Sequence, residues 1–449
     1  MEKQRSSFTG KLGFIMAAAG SAVGLGNIWR FPYLAAQYGG GIFLLVYILL
    51  AVSFGFTLMV AEIAIGRKTG LSAIEAYKKL DSRFAFVGVL AALIPTIILP
   101  YYSVIGGWVT KYLFSFIAED IHVIAADGYF EGFIASSFPP IFWFFLFIAV
   151  TAIVVVLGVE KGIEKVSKVM MPVLAVLTLI VAVYSICLPG SIDGIKYYLL
   201  PNFSEFSYKT VLAAMGQMFY SMSLSMGIMI TYGSYMKKEV SIEKSVRQIE
   251  IFDTGIAFLA GLMIIPAVFV FSGGEKSALN KGPGLMFVTL PKVFESMPAG
   301  KVIGAIFFLL VLFAALTSSI SLFETVVSFF QDKMKWSRKV SCAVVFGICM
   351  LLGVPSSMGN GAWSGFTLLG MDFLSFCDFV TNNLMMPITA FFTCVMAGYV
   401  LKKGTLETEM ALSNGSEKLY HVVIRYVAPV CILLILLTSV LDFLGIMKL

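Results

Sequence analysis

Residues Gly20 to Pro32, Gly-Ser-Ala-Val-Gly-Leu-Gly-Asn-Ile-Trp-Arg-Phe-Pro, lie inside the first long apolar segment and cannot continue it as an ordinary helix. Gly20, Gly24 and Gly26 each lower helix propensity by about 1 kcal/mol relative to alanine, and Pro32 biases Phe31 away from the α region. The stretch predicts two half-helices joined by an unwound hinge. In hydrocarbon such a break persists only where its freed N–H and C=O groups are met by protein, ions or a ligand. It is therefore a candidate binding site.

Composition decides the environment. Of 449 residues, 59% are hydrophobic and 13% charged, and the mean hydropathy is +0.92, values that belong to a polytopic membrane protein. A bilayer core of ~30 Å takes about 20 apolar residues per helix. Segments of that kind recur at 12–36, 41–66, 86–116, 140–158, 166–188, 208–236, 250–272, 301–330, 338–354, 373–400 and 421–446. The expectation is an all-α chain of about eleven spans, a single transmembrane unit over 1–449, inserted by its first helix without a cleavable signal. Cys187, Cys342, Cys349, Cys377, Cys394 and Cys431 form no CxxC pair and read as packing residues. His122 and His421 flank spans and do not suggest zinc.

The net charge of +6 sits in alternate loops, which points to topology rather than nucleic-acid binding. Lys3, Arg5 and Lys11, then Arg67 to Arg83, Lys161 to Lys168, Lys237 to Arg247, Lys333 to Lys339 and Lys402 to Lys418 mark one face. By the positive-inside rule that face and the N-terminus are cytoplasmic, in a plasma (inner) membrane, and an odd count of spans puts Leu449 outside. The loop 116–140 carries Glu119, Asp120, Asp127 and Glu131 without a Lys or Arg. The loop 272–300 breaks the pattern with Lys276, Lys281, Lys292 and Lys301 at its end, but its run Gly284 to Pro291 predicts a small external helical cap.

A second break occurs at Gln217-Met-Phe-Tyr-Ser-Met-Ser-Leu-Ser-Met-Gly227, five spans after the first. Interrupted helices at corresponding places in two halves mark an inverted-repeat transporter with its site at the midplane. Ionisable side chains within spans cost roughly 2.5–3.5 kcal/mol and are functional by default; here they are Arg30, Glu62, Asp253 and Asp372. The bland alternative for Asp253 is a frayed helix start, and for Asp372 and Asp378 a solvated helix entrance. Thr317 and Ser318 can bond back to their own helix, or can join unwound carbonyls as oxygen ligands for Na⁺. Tyr101 and Tyr102 are core aromatics whose hydroxyls need partners. Gly24-Leu-Gly26 lacks the third glycine and the βαβ context of a dinucleotide site.

The first motif, with Gly39-Gly-Gly41, Gln217…Ser221-Met-Ser223, Thr231-Tyr-Gly-Ser-Tyr235 and Leu316-Thr-Ser-Ser319, resembles the neurotransmitter:sodium symporter family from about Arg5 to the end of the chain. The resemblance implies a LeuT-type 5+5 inverted repeat, with helices 1 and 6 unwound, repeats at 10–190 and 206–402, and one further span at 418–449. It implies two sodium sites. One uses Ala22, Asn27, Ser221 and Asp253 with the substrate carboxylate; the other uses Gly20, Val23, Ala314, Thr317 and Ser318. The implied substrate contacts are Ala22, Leu25, Gly26, Ile98, Tyr102, Tyr220, Ser221, Ser223, Met226, Ser318 and Leu322. Implied gates are Arg30 with Asp372, or with Asp378 if the differently spaced tenth span shifts the pairing, and Arg5 with Asp332, aided by Tyr235.

Two departures from the family pattern carry expectations. Asp253 stands where many members have Asn, so a fixed charge replaces the chloride that animal members bind and transport is expected to be chloride-independent. The chain also carries about eleven spans, without the last one common in the family. Gly24 stands where amine-transporting members carry Asp, so the substrate should bring its own carboxylate, and apolar Ile98, Met226 and Leu322 favour large hydrophobic or aromatic L-amino acids. The expected activity is sodium-coupled symport by alternating access. A proton-coupled amino-acid transporter of the same fold is the nearest alternative. A channel would need a continuous polar stripe, and an intramembrane enzyme a nucleophile with its base or a set of metal ligands.

Overall fold

A computed structural model of the protein describes residues 7–272 and 283–443. Among these, nine continuous helices are long and apolar enough to cross a membrane, and a bent pair makes a tenth. The bent pair is α1 (Lys11–Ala22) and α2 (Gly26–Gln37), which meet at 54°. There follow α3 (Gly41–Thr69), the short α4 (Ala73–Leu80), α5 (Ser82–Ala118), α6 (Pro139–Val156) and α7 (Val159–Ile186). A second broken element, α8 (Tyr208–Ser221) and α9 (Ile228–Ser234), holds the position of an eleventh span. The chain continues through α10 (Ile242–Ser272), α11 (Leu290–Glu295), α12 (Gly300–Met334), α13 (Arg338–Met358), α14 (Phe373–Val400), α15 (Glu407–Met410) and α16 (Asn414–Phe443).

Both breaks fall where the sequence places them. At the first, Val23 turns extended at φ −74°, ψ 103° and ends α1. At the second, Ser223, Ser225 and Gly227 adopt φ values of 52°, 64° and 71°. Two serines in the left-handed region are a conformation that costs a side chain of order 1–3 kcal/mol and persists only when the surroundings hold it.

Span boundaries shift mainly at one face. The helix α10 begins at Ile242 rather than 250, with the Ser241 hydroxyl accepting the Lys244 N–H at 3.3 Å. Asp253 thus lies about three turns inside the helix and is fully buried, which removes the frayed-start alternative. The predicted cap is helical over Leu285–Thr289 and Leu290–Glu295; Lys276 and Lys281 lie outside the described residues. Ion pairs Lys292–Asp127 (2.5 Å) and His122–Glu295 (2.6 Å) join this cap to the acidic loop 116–140.

The helices that carry the site pack through small residues. A Cβ on Gly66 of α3 would stand 1.9 Å from the Ile230 carbonyl of α9, and one on Gly233 of α9 would stand 2.4 Å from that of Ile63. Such backbone approach is how membrane helices gain contact without a hydrophobic drive between them. A Gly66→Leu substitution is expected to force α3 and α9 apart at a cost of about 1–3 kcal/mol or more. Thermal unfolding in detergent checks this, with a clearly lowered Tm expected; an unchanged Tm would show that the close approach is not required.

Candidate functional site

The two breaks face one another, and several of the freed backbone groups have identifiable partners. Val23 N–H still closes the last turn of α1 on the Ala19 carbonyl. Beyond it the Gly24 N–H donates to the Asn27 side-chain oxygen at 3.0 Å, and the Gly26 carbonyl accepts from Gln217 Nε2 at 2.9 Å. The Ser318 hydroxyl of α12 reaches across to the carbonyls of Gly20 (3.4 Å), Ser21 (3.1 Å) and Val23 (3.2 Å). Ser223, from the second break, donates to the Ser21 carbonyl at 2.9 Å. Thr317 instead bonds back within α12, to Phe313 at 2.9 Å and Ala314 at 3.2 Å, so of the two adjacent hydroxyls only Ser318 leaves its own helix.

Asp253 ties the halves together. Its carboxylate accepts from Asn27 Nδ2 at 2.8 Å, from Ser221 Oγ at 2.9 and 3.1 Å and from the Tyr47 hydroxyl at 3.3 Å. One charge inserted among α2, α3 and α8 is thereby surrounded by three donors. A buried carboxylate is tolerable in a membrane only with such partners.

A cavity of about 380 Å³ opens beside this knot. It is lined by all eleven residues named above as substrate contacts: Ala22, Leu25, Gly26, Ile98, Tyr102, Tyr220, Ser221, Ser223, Met226, Ser318 and Leu322. Its polar corner holds the Leu25 N–H, which donates to the Tyr102 hydroxyl at 3.4 Å. Ser21, Ile228 and Ser321 line it as well, none of them among the substrate contacts that the resemblance implies. Ser21 and Ser321 share a 2.7 Å hydrogen bond, and only the crossing of α1 and α12 brings them together. A Cβ on Gly24 would stand 2.8 Å from Ser318 Oγ and 3.1 Å from the Tyr102 hydroxyl, so a side chain at position 24 would displace the Ser318 hydroxyl.

Glu62, singled out by its place in a span, holds the second break. Its Oε1 accepts the Ser225 N–H at 2.6 Å, and the residue is 1% exposed.

The residues named as gates are distributed as follows. Arg30 lies 5.2 Å over the ring of Tyr220 and lines a cleft of about 900 Å³ above the cavity, with Asn382, Asp442 and Lys209. Asp372 caps α14, accepting from Ser375 N at 3.0 Å and Ser375 Oγ at 2.6 Å. Asp378 accepts from the Tyr101 hydroxyl at 3.1 Å and Asn382 Nδ2 at 2.6 Å, within electrostatic range of Arg30. On the opposite side Asp332 accepts the Ser72 N–H at 2.7 Å, while Arg5 lies outside the described residues. The Tyr235 hydroxyl donates to Glu324 at 2.8 Å, and Glu324 also pairs with Arg338.

The family model that describes the sodium:neurotransmitter symporter family matches residues 5–124 and 140–447. The chain belongs to that family. It is a sodium-dependent membrane transporter, not an enzyme. An uncharacterized sodium-dependent transporter of Bacillus subtilis, YhdH, is 34% identical over 98% of each chain, and one from Haemophilus influenzae is 32% identical over 97% of this chain and 98% of its own. The sodium- and chloride-dependent taurine transporter of rat is 25% identical over 88% of this chain and 71% of its own. Among solved structures, MhsT in complex with L-phenylalanine superposes with a TM-score of 0.89 at 37% identity, covering 97% of this chain and all of the other. The symporter thus has the LeuT-type fold that its motifs imply.

Replacing Glu62 by Ala is expected to leave the Ser225 N–H bare inside the membrane, at about 1–3 kcal/mol, and to reduce uptake severely. Glu62→Gln keeps an acceptor oxygen and should retain most of both. Stability in detergent and initial uptake rates check this, and equal damage by the two variants would assign the effect to the lost charge instead.

Proposed function

We propose that the symporter couples the inward movement of Na⁺ to that of an L-amino acid, with large hydrophobic or aromatic side chains preferred. The observation that carries this reading is the knot of Asn27, Ser221 and Asp253 directly beside a cavity whose polar corner is the Leu25 N–H and the Tyr102 hydroxyl. A carboxylate placed in that corner meets the start of α2, where a helix favours negative charge, can take over the long 3.4 Å hydrogen bond that the Leu25 N–H gives Tyr102, and lies within reach of the acidic knot only if a cation sits between them. Sodium is a hard cation that takes oxygen ligands. The Ala22 carbonyl with Asn27, Ser221 and Asp253 supplies one set, completed by the substrate's own carboxylate. A second set comes from the carbonyls of Gly20, Val23 and Ala314 with the hydroxyls of Thr317 and Ser318, which already lie 3.2–3.4 Å from those carbonyls. Ion and substrate then each raise the other's affinity, because coupling free energy is reciprocal.

Several features support the finer points. Gly24 carries no acidic side chain of the kind an amine substrate would need, and one placed there would crowd the Ser318 and Tyr102 hydroxyls. Ile98, Met226, Ile228 and Leu322 form the apolar wall, and the phenylalanine complex of MhsT is a relative with a substrate of that class. Asp253 brings a carboxylate of the chain itself to the ion site, which supports chloride independence. Arg30 with Asp378 closes the outside in this reading, since Asp372 is already engaged as a helix cap; a charge-assisted pair of this kind is strong when dry and worth only ~0–1 kcal/mol once hydrated. Repeats at 10–190 and 206–402 exchange access around the site, with the N-terminus cytoplasmic and the C-terminus outside.

Uptake of radiolabelled phenylalanine into proteoliposomes is expected to require a Na⁺ gradient and to persist when gluconate replaces chloride. Leu, Trp and Tyr should compete, Gly and Asp should not, and Thr317→Ala with Ser318→Ala should remove Na⁺ stimulation. Uptake driven by a proton gradient without Na⁺ would select the proton-coupled alternative, and collapse in gluconate would overturn chloride independence.

A further inference from the structure

A cleft of about 1010 Å³ that shares no lining residue with the transport cavity lies between the start of α1, the first turns of α10 and the linker before α16. Lys11, Lys244 and Arg247 line it together with Gln248. The guanidinium of Arg247 is held in place, 3.8 Å over the ring of Phe56, 3.3 Å from the Val52 carbonyl and 3.5 Å from Glu250. The acidic residue of the cleft, Glu243, is turned to the linker, accepting from Ser413 N at 2.8 Å, Ser413 Oγ at 2.9 Å and Ser416 Oγ at 2.5 Å. Two lysines and a fixed arginine thus face an open space with one carboxylate already occupied.

What lies beside the cleft decides its ligand. On α10 the positions Lys244, Arg247, Gln248 and Ile251 recur at helical spacing on one face, and Ile251 is 72% exposed. Leu12, next to Lys11, and Val52, whose carbonyl holds Arg247, are exposed too. An apolar track therefore rises from the basic cleft along the surface that meets lipid. Basic pockets between membrane helices at the cytoplasmic surface attract anionic headgroups, and the basic loops assign this end of the molecule to the cytoplasm.

We propose that this cleft binds the phosphate headgroup of an anionic phospholipid from the inner leaflet, with its acyl chains along Leu12, Val52 and Ile251. Bound lipid ties the start of α1 to α10. A soluble phosphate compound shares the headgroup chemistry, but it gains nothing from the apolar track.

The test uses the full-length transporter in phosphatidylcholine nanodiscs with and without phosphatidylglycerol, reading retained lipid by native mass spectrometry. The wild type is expected to retain phosphatidylglycerol selectively. The Lys11→Gln/Lys244→Gln variant should lose about thirtyfold in that preference, at about 1 kcal/mol for each basic residue, while Lys11→Arg/Lys244→Arg keeps it. No preference in the wild type, or an equal preference in the glutamine variant, overturns the proposal. Inorganic phosphate is added to phosphatidylcholine discs in a separate arm. Thermal stabilisation there as large as that given by phosphatidylglycerol overturns the lipid assignment in favour of a soluble phosphate.

Discussion

A helix broken in mid-membrane leaves backbone groups that hydrocarbon cannot satisfy, and much of this molecule is arranged around meeting those of residues 20–26. The Asn27 side chain closes on Gly24, Gln217 reaches to Gly26, Ser318 crosses from α12 and Ser223 comes from the second break. Each partner belongs to an element that is itself irregular or carries hydroxyls where lipid-facing helices would carry leucine. The second break is in turn held by Glu62. The two breaks meet directly through Ser223 and the Ser21 carbonyl, and their other partners come from α2, α3, α8 and α12.

Asp253 is the electrostatic counterpart of that arrangement. Its carboxylate is held by Asn27 of the first broken pair, Ser221 of the second and Tyr47 of α3, and thereby joins the two halves of the chain at one charge. A buried carboxylate with neutral donors around it is well suited to receive a cation, because the cation supplies the opposite charge that those donors lack. The cavity beside it is lined by the Tyr102 and Tyr220 rings, with Arg30 over the Tyr220 ring. Small side chains and bare glycine at position 24 set its shape as much as its apolar wall does.

The two breaks and the buried charges were legible in the sequence because membrane physics makes irregularity conspicuous, whereas the LeuT-type fold and the residues that line the cavity followed from the family resemblance of the motifs. Glycines, an Arg and a Pro in an apolar run announce a break, and Glu62 and Asp253 announce themselves as charges where charge is costly. Less legible was anything decided by helix ends or by contacts between distant segments. The start of α10 is hidden because Ile242 to Gln248 is too charged to read as a span, yet it continues the same helix. Asp372 and Asp378 share one stretch of sequence, and only the cap geometry of α14 shows that the first is bound to Ser375. The pairing of Ser21 with Ser321 depends on a helix crossing that no local pattern encodes.

The central claim is that the substrate's carboxylate and a sodium ion complete one another's binding sites beside Asp253. Competition between radiolabelled phenylalanine and two unlabelled ligands, phenylalanine and its methyl ester, over a range of Na⁺ concentrations tests it most directly. The account predicts that the free acid competes with an affinity that rises with Na⁺, while the ester fails to compete at any Na⁺ concentration. An ester that competes with the same Na⁺ dependence as the acid would contradict it.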